Sequence, residues 1–389
     1  QIRHLLRESV RRQLRSDVPL GVFLSGGLDS TSVVACMSDL LDRPVRTFSI
    51  GFHEPSYNEL PDARRVAEAF QSEHHELVVD PDLETLIPQV VLQFDEPFAD
   101  YSALPTYLVS QMARQEVTVA LSGDGGDEVF AGYPTHYAYR VARLYRLLPR
   151  WMRDRLIAPA VQRLPTSTER ISFDYMAKRF VTGAHLPFQQ GHYWWKVILN
   201  ETEKASLYTD EFAAQLQALA GAQARDSYAV FEPHFARVHD AHPLNQLLYV
   251  DAKTFLLDDC LVKVDRMSMA NSLEVRVPLL DHELVEYVAR VAPRWKSSGL
   301  QTKSLLRDVV RPLLPPTIVR GKKRGFTPPL PIWLKRELRD YVQDVLSPAR
   351  LRAQGWFKPA AVQQIVDQHM RGERDNNRAI WALLCLVLW

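Results

Sequence analysis

Cysteine is scarce in this sequence: three residues in 389, Cys36, Cys260 and Cys385, far apart and odd in number. That excludes a disulfide framework, and the lack of a CxxC pair or of Cys/His spacing excludes a zinc site. The three read as small apolar core residues kept reduced. An excess of charge of one sign is also missing. Lys plus Arg number 47 against 46 Asp plus Glu, so no global field draws the chain to nucleic acid or to an anionic membrane. No apolar run reaches the ~20 residues that span a bilayer. The most apolar stretch, Ala379 to Trp389, reads as a buried terminal helix. There is no repeat and no low-complexity tract. The start is charged rather than leader-like (Arg3, Arg7, Glu8, Arg11, Arg12), so a cytoplasmic chain is expected. Gln1 in place of Met leads us to expect a trimmed chain or part of a longer protein.

What is present is a globular composition, 46% hydrophobic and 24% charged. Short apolar runs without polar alternation mark strands buried on both faces: Leu20 to Leu24 and Val117 to Leu121. Val45 to Phe52 and His75 to Val79 are two further strand candidates. Helical spacing covers Ile2 to Arg15, Ser30 to Leu41 and Asn58 to Phe70. Strand, turn, helix, strand in this order predicts an α/β fold with a doubly wound parallel sheet. After about Arg140 the character changes, with no further strand-turn-helix unit evident, and from Ala224 on the pattern is mostly helical. The expected division is 1–140 as an α/β core, 141–250 as a mostly helical insertion, and 251–389 as a helical remainder.

The chemistry concentrates in glycine-rich turns at strand ends. Ser25-Gly26-Gly27-Leu28-Asp29-Ser30 joins a buried strand to a helix. Glycines let the backbone approach a ligand, successive amides at a helix start favour an anion, and Ser25 and Ser30 add hydroxyl donors. An aspartate among phosphate donors makes sense as a Mg²⁺ ligand. The Walker spacing and its Lys are absent. The loop resembles the PP-loop of ATP pyrophosphatases, which holds departing pyrophosphate. Ser122-Gly123-Asp124-Gly125-Gly126-Asp127-Glu128 follows a second buried strand. Alone it would equally suit a calcium loop or a plain turn. Paired with the first loop, it points to a shared Mg-nucleotide, with Asp29 and Asp127 as metal ligands.

Together, SGGLDS, LSGDGGDEVFAGY (121–133), DEPFADYSALPTY (95–107) and DRMSMANSLEVRVPLLD (265–281) resemble the synthetase domain of glutamine-hydrolysing asparagine synthetases. The resemblance runs over nearly the whole chain. It implies an adenine nucleotide alpha-hydrolase-like fold and ATP contacts at Leu24, Ser25, Gly26, Gly27, Asp29, Ser30, Ile50, Ser122 and Gly123. It assigns aspartyl-adenylate formation to Asp124, which is Glu in some members. The essential lysine, three residues before a Phe, falls on Lys323 in GKKRGF (321–326), with Lys322 as the alternative. For Leu24 and Ile50, ordinary core burial accounts for the side chains, leaving adenine recognition to backbone.

The resemblance also implies ATP and Mg²⁺ as cofactors, aspartate and ammonia as substrates, and a homodimer as one open assembly. Members carry an upstream glutaminase domain. None is recognisable in these residues, so this chain is expected to use ammonium and not glutamine. Three rivals stand beside this reading. One is a β-lactam or lasso-peptide cyclase with the same adenylation chemistry. The second is an RNA-modifying PP-loop enzyme, which would need a basic face or reactive cysteines. The third is a non-catalytic nucleotide-binding module. Asp265, Arg266, Glu274 and Arg276 could line the substrate path or form a buried ion-pair network, the structural role being slightly favoured. His53, His74 and His75 read as surface or strand-edge residues, and Trp194-Trp195 as core.

Overall fold

The computed structural model describes residues 1–389 apart from 168, 171, 221–225 and 320–325. The chain forms two compact units. The first comprises Gln1–Pro81, Ser102–Tyr137 and Asp240–Pro328; the second comprises Asp82–Tyr101, Ala138–His239 and Pro329–Trp389.

The first unit is built on strands β1 (Leu20–Phe23), β2 (Arg46–Gly51), β3 (Glu73–Val78), β4 (Val119–Leu121) and β5 (Glu274–Arg276). They pair in the order β3-β2-β1-β4-β5, and every pairing is parallel. Parallel neighbours need crossovers, which helices α2 (Leu28–Leu40) and α3 (Leu60–Ala69) supply between the first three strands. Helix α1 (Ile2–Gln13) places Ile2, Leu6 and Val10 one turn apart on a single buried face. These join Val33, Val34 and Met37 of α2 and Val22, Val119 and Leu121 of the sheet in one core. Each such side chain contributes about 1.5–3 kcal/mol on burial, so this face of the central strands is held by α1 and α2.

Strand β5 is an element that the mostly helical reading of the chain after Ala224 did not pick out. Glu-Val-Arg carries no apolar run, and its pairing is decided by distant partners. Glu274 N donates to Thr118 O at 3.0 Å, and Ser122 N donates to Arg276 O at 2.8 Å. The expected buried ion-pair network is not what these residues form. Asp265 and Arg266 are exposed. Arg276 bonds its neighbour Glu274 at 2.6 Å, and both are partly exposed. Its Nη1 also donates to Gln13 O at 2.6 Å and Arg15 O at 2.7 Å, satisfying carbonyls at the end of α1. The histidines of β3 lie on the sheet's edge strand as expected. His74 Nδ1 meets Thr47 Oγ1 at 2.8 Å and His75 stacks on Phe48. Among the described residues no cluster of three or more His, Cys, Asp or Glu is placed to hold a metal.

The second unit is helical. Trp195 is buried and stacks on Phe180, while Trp194 Nε1 donates to Thr182 Oγ1 at 3.0 Å, so the tryptophan pair is core. The terminal apolar run is the helix Asn377–Leu388, which buries Ile380, Trp381, Leu383, Leu384 and Cys385. No described helix is long and apolar enough to cross a membrane. All three cysteines are buried thiols. Burial pushes Cys36 up to about 12 and the other two higher still, which leaves them unreactive.

One buried cation in the first unit makes stability depend on pH. Lys296 is almost fully buried and donates to Asn245 Oδ1 at 3.1 Å and Ala289 O at 3.2 Å. Burial lowers its pKa from 10.5 to about 8. Above the folded value and below the unfolded one, the unfolded chain binds the proton that the folded chain has released. Stability therefore rises with pH through that window. Relative to Lys296→Met, the unfolding midpoint of the parent should climb from about pH 8 towards pH 10.5. A constant offset between the two proteins would contradict this.

Candidate active site

The strand order places a topological switch beside β1. The chain runs outward from β1 to β2 and β3, then returns to the other side of β1 as β4. In open parallel sheets the crevice at such a switch, beyond the carboxyl ends of the strands, is where ligands bind. The loops that leave β1 and β4 at this point are the two glycine-rich segments.

The first loop is tightly cross-linked by its own hydroxyls. Ser25 Oγ lies 3.1 Å from Ser30 Oγ, and Ser25 N donates to Ser30 Oγ at 3.3 Å. Thr31 Oγ1 donates to Gly27 O at 2.6 Å. Gly26 has φ +70, which suits a residue without Cβ. Gly27 caps α2 and places Asp29 in its first turn.

The second loop packs directly on the first. A Cβ on Gly123 would lie 2.6 Å from Ser30 N and 3.0 Å from Asp29 Cβ, so only glycine allows this contact. Ser122 Oγ donates to the Asp124 carboxylate, and Asp124 N donates back to Ser122 Oγ at 3.2 Å. The turn thereby holds Asp124 against Ser122, with its side chain half-buried.

Between the loops stands Lys303, a residue that no sequence pattern marked. Its Nζ donates to Asp29 Oδ2 and lies 2.6 Å from Asp127 Oδ1. The lysine side chain is 5% exposed, the two carboxylates 20% and 18%. Burial alone would lower the Lys303 pKa; the fields of Asp127 and then Asp29 outweigh it and hold the ammonium charged. Lys303 has φ +54 and precedes the helix Ser304–Val310. It is 274 residues from Asp29, and no motif separates it from the other lysines and arginines. Only folding could reveal it.

This donor set fits a magnesium ion. Two carboxylates already converge on one cationic centre, and Mg²⁺ is commonly held by one or two carboxylates with the rest of its shell from phosphates and water. Asp29 and Asp127 are the residues that would hold it.

The other residues singled out by sequence fall as follows. Leu24 and Ile50 are buried. Leu24 N donates to Phe48 O at 2.9 Å, Ser49 Oγ donates to Leu24 O, and Ile50 pairs with Leu77. Their side chains are core, and both lie near strand ends on the loop side. Ser25, Gly26, Gly27, Asp29, Ser30, Ser122, Gly123, Asp124 and Asp127 gather in one crevice. Lys322 and Lys323 lie outside the described residues.

Comparison of the sequence with known proteins identifies a family. The asparagine synthase family model covers residues 1–389. The chain belongs to the asparagine synthase family. It is 31% identical over 391 residues to asparagine synthetase [glutamine-hydrolyzing] 1 of Bacillus subtilis (strain 168), covering all of this chain and 58% of that relative. A putative asparagine synthetase [glutamine-hydrolyzing] 2 of Methanocaldococcus jannaschii is 51% identical over 152 residues, 38% of this chain and 29% of its own. Amidase chry2 of Gibberella zeae is 24% identical over 411 residues, covering 94% of this chain and 57% of its own. The chain thus spans less than three-fifths of the length of these asparagine synthase relatives.

Proposed function

We propose that this chain is an ATP-dependent, amide-forming synthetase that adenylates the side-chain carboxylate of aspartate and passes it to ammonia, giving asparagine, AMP and pyrophosphate. One observation carries the reading: two glycine-rich acidic loops meet in van der Waals contact at the switch point of a parallel sheet. The family of the chain and the names of its relatives support the same chemistry.

The residues divide the work. Backbone amides of Gly26 and Gly27, with the hydroxyls of Ser25 and Ser30, bind the triphosphate at the start of α2. Asp29 and Asp127 would hold Mg²⁺, which when bound would neutralise phosphate charge and so ease departure of pyrophosphate. The substrate carboxylate attacks the α-phosphorus in line, and the bond to the bridging oxygen breaks. Lys303 supplies a preorganised positive charge beside the developing pyrophosphate, and Lys323 a second. Asp124, whose carboxylate accepts a hydrogen bond from Ser122 Oγ, serves the adenylation step. Ammonia then attacks the acyl carbon and AMP leaves. In the longer relatives' pattern, an upstream glutaminase domain would be the source of that ammonia.

The test is the nucleotide product. With ATP, Mg²⁺, aspartate and ammonium, AMP and pyrophosphate should form in step with asparagine, and radiolabelled pyrophosphate should exchange into ATP only when the correct acid is present. ADP and phosphate as stoichiometric products would refute the reading. Exchange with a different acid would retain adenylation and replace the substrate.

A further inference from the structure

Behind the acidic loop lies a buried polar chain that the reaction as described does not use. His136 and Asp251 are both fully buried, 115 residues apart, with Nε2 to Oδ2 2.8 Å. Tyr133 N–H donates to His136 Nδ1 at 3.3 Å. Because Nδ1 accepts, the ring proton sits on Nε2 and is donated to Asp251. The Tyr133 hydroxyl donates to Glu128 Oε1 at 2.5 Å, and the Cys260 thiol approaches the same oxygen at 3.7 Å. The Tyr133 ring packs edge-on against His136 and Phe255, with centroids at 5.3 and 5.7 Å.

This chain closes on the metal-binding end of the loop. Gly132 N donates to Asp127 O at 2.7 Å. A Cβ on Gly132 would lie 1.7 Å from Asp127 Oδ1 and 2.3 Å from Lys303 Cε. Gly132 is therefore a wall against which the Asp127 carboxylate and the Lys303 stem both rest. Its neighbour Tyr133 is pinned at two points, by backbone to His136 and by hydroxyl to Glu128. A shift of Tyr133 would move that wall.

We propose that Asp251, His136 and Tyr133 are positioning residues that set the Asp127 carboxylate for the Mg-nucleotide. The proposal rests on the reading of Asp127 given above. A buried hydrogen bond between a neutral imidazole and a carboxylate contributes little net stability compared with apolar residues of the same volume, because desolvation of the carboxylate offsets its attraction. What it does supply is direction: these hydrogen bonds fix Tyr133 relative to His136 and Glu128, and the wall at Gly132 adjoins Tyr133. A residue that acts this way should alter how much magnesium the site requires.

The test uses the whole chain and the uncleavable nucleotide α,β-methylene-ATP, with binding measured by calorimetry across a series of Mg²⁺ concentrations. Tyr133→Phe keeps the ring and removes only the hydroxyl. It should raise the Mg²⁺ needed for half-maximal binding about fivefold, as loss of one net hydrogen bond implies. The unfolding midpoint should change little. His136→Leu should raise the requirement further, and His136→Gln, which can still accept and donate, should recover part of the loss. Asp127→Asn serves as the reference and should lose the magnesium dependence. If Asp127→Asn loses it while Tyr133→Phe and His136→Leu titrate like the parent, the positioning role is overturned. A lowered unfolding midpoint with unchanged magnesium dependence overturns it equally. If Asp127→Asn itself titrates like the parent, the metal role of Asp127 fails and the positioning role falls with it.

Discussion

Asp29→Asn and Asp127→Asn should each reduce aspartate-dependent pyrophosphate exchange by about 100- to 1,000-fold, the effect of deleting one preorganised electrostatic contact. Both carboxylates meet at Lys303, and the two loops that carry them touch through Gly123. Replacing either by its amide keeps the shape and removes one negative charge. Lys303 retains the other carboxylate as counter-ion, so the fold should survive, as circular dichroism and the unfolding midpoint would record. Loss should be largest in the rate at saturating ATP, because the charge that these groups manage develops as pyrophosphate departs. Exchange at the parent rate in either variant would remove that residue from the site.

Lys303→Met should give the largest stability effect, and one that magnesium reverses. Removing the ammonium leaves two carboxylates of like charge facing each other across the space it filled. Breaking a buried pair by deleting one partner costs about 3–5 kcal/mol. About 3 kcal/mol is expected here, since both carboxylates keep about a fifth of their side-chain exposure and water screens part of the repulsion. A divalent cation bound between them would relieve that repulsion. Millimolar Mg²⁺ should therefore raise the unfolding midpoint of Lys303→Met more than that of the parent, whose site already holds a cation. An equal rise in both proteins would show that Asp29 and Asp127 do not share the ion.

Much of the site was legible before folding because its parts are local. A glycine pair between an apolar run and a helix start predicts a tight loop at a strand end whatever surrounds it, and the structure places Ser25, Gly26, Asp29 and Ser30 between β1 and the first turn of α2. The strands at 20–23 and 119–121 betrayed themselves by unbroken apolar residues, the mark of burial on both faces. The core role of Leu24, of Trp195 and of the three cysteines followed from the same reasoning. Strand β5 was illegible because a three-residue edge strand with charged ends has no period to detect. Its partners Thr118 and Ser122 lie more than 150 residues earlier in the chain.

The order of the sequence thus determined the two glycine-rich loops at strand ends, the sheet class and the family resemblance, since each is carried by contiguous segments. Tertiary structure alone decided which charges meet. Lys303 reaches Asp29 across 274 residues and His136 reaches Asp251 across 115. Arg276 leaves the expected ion network to close the end of α1. A buried charge must find a counter-charge or a hydrogen bond wherever the fold provides one. That choice is made by the packing of distant segments, and no local pattern records it.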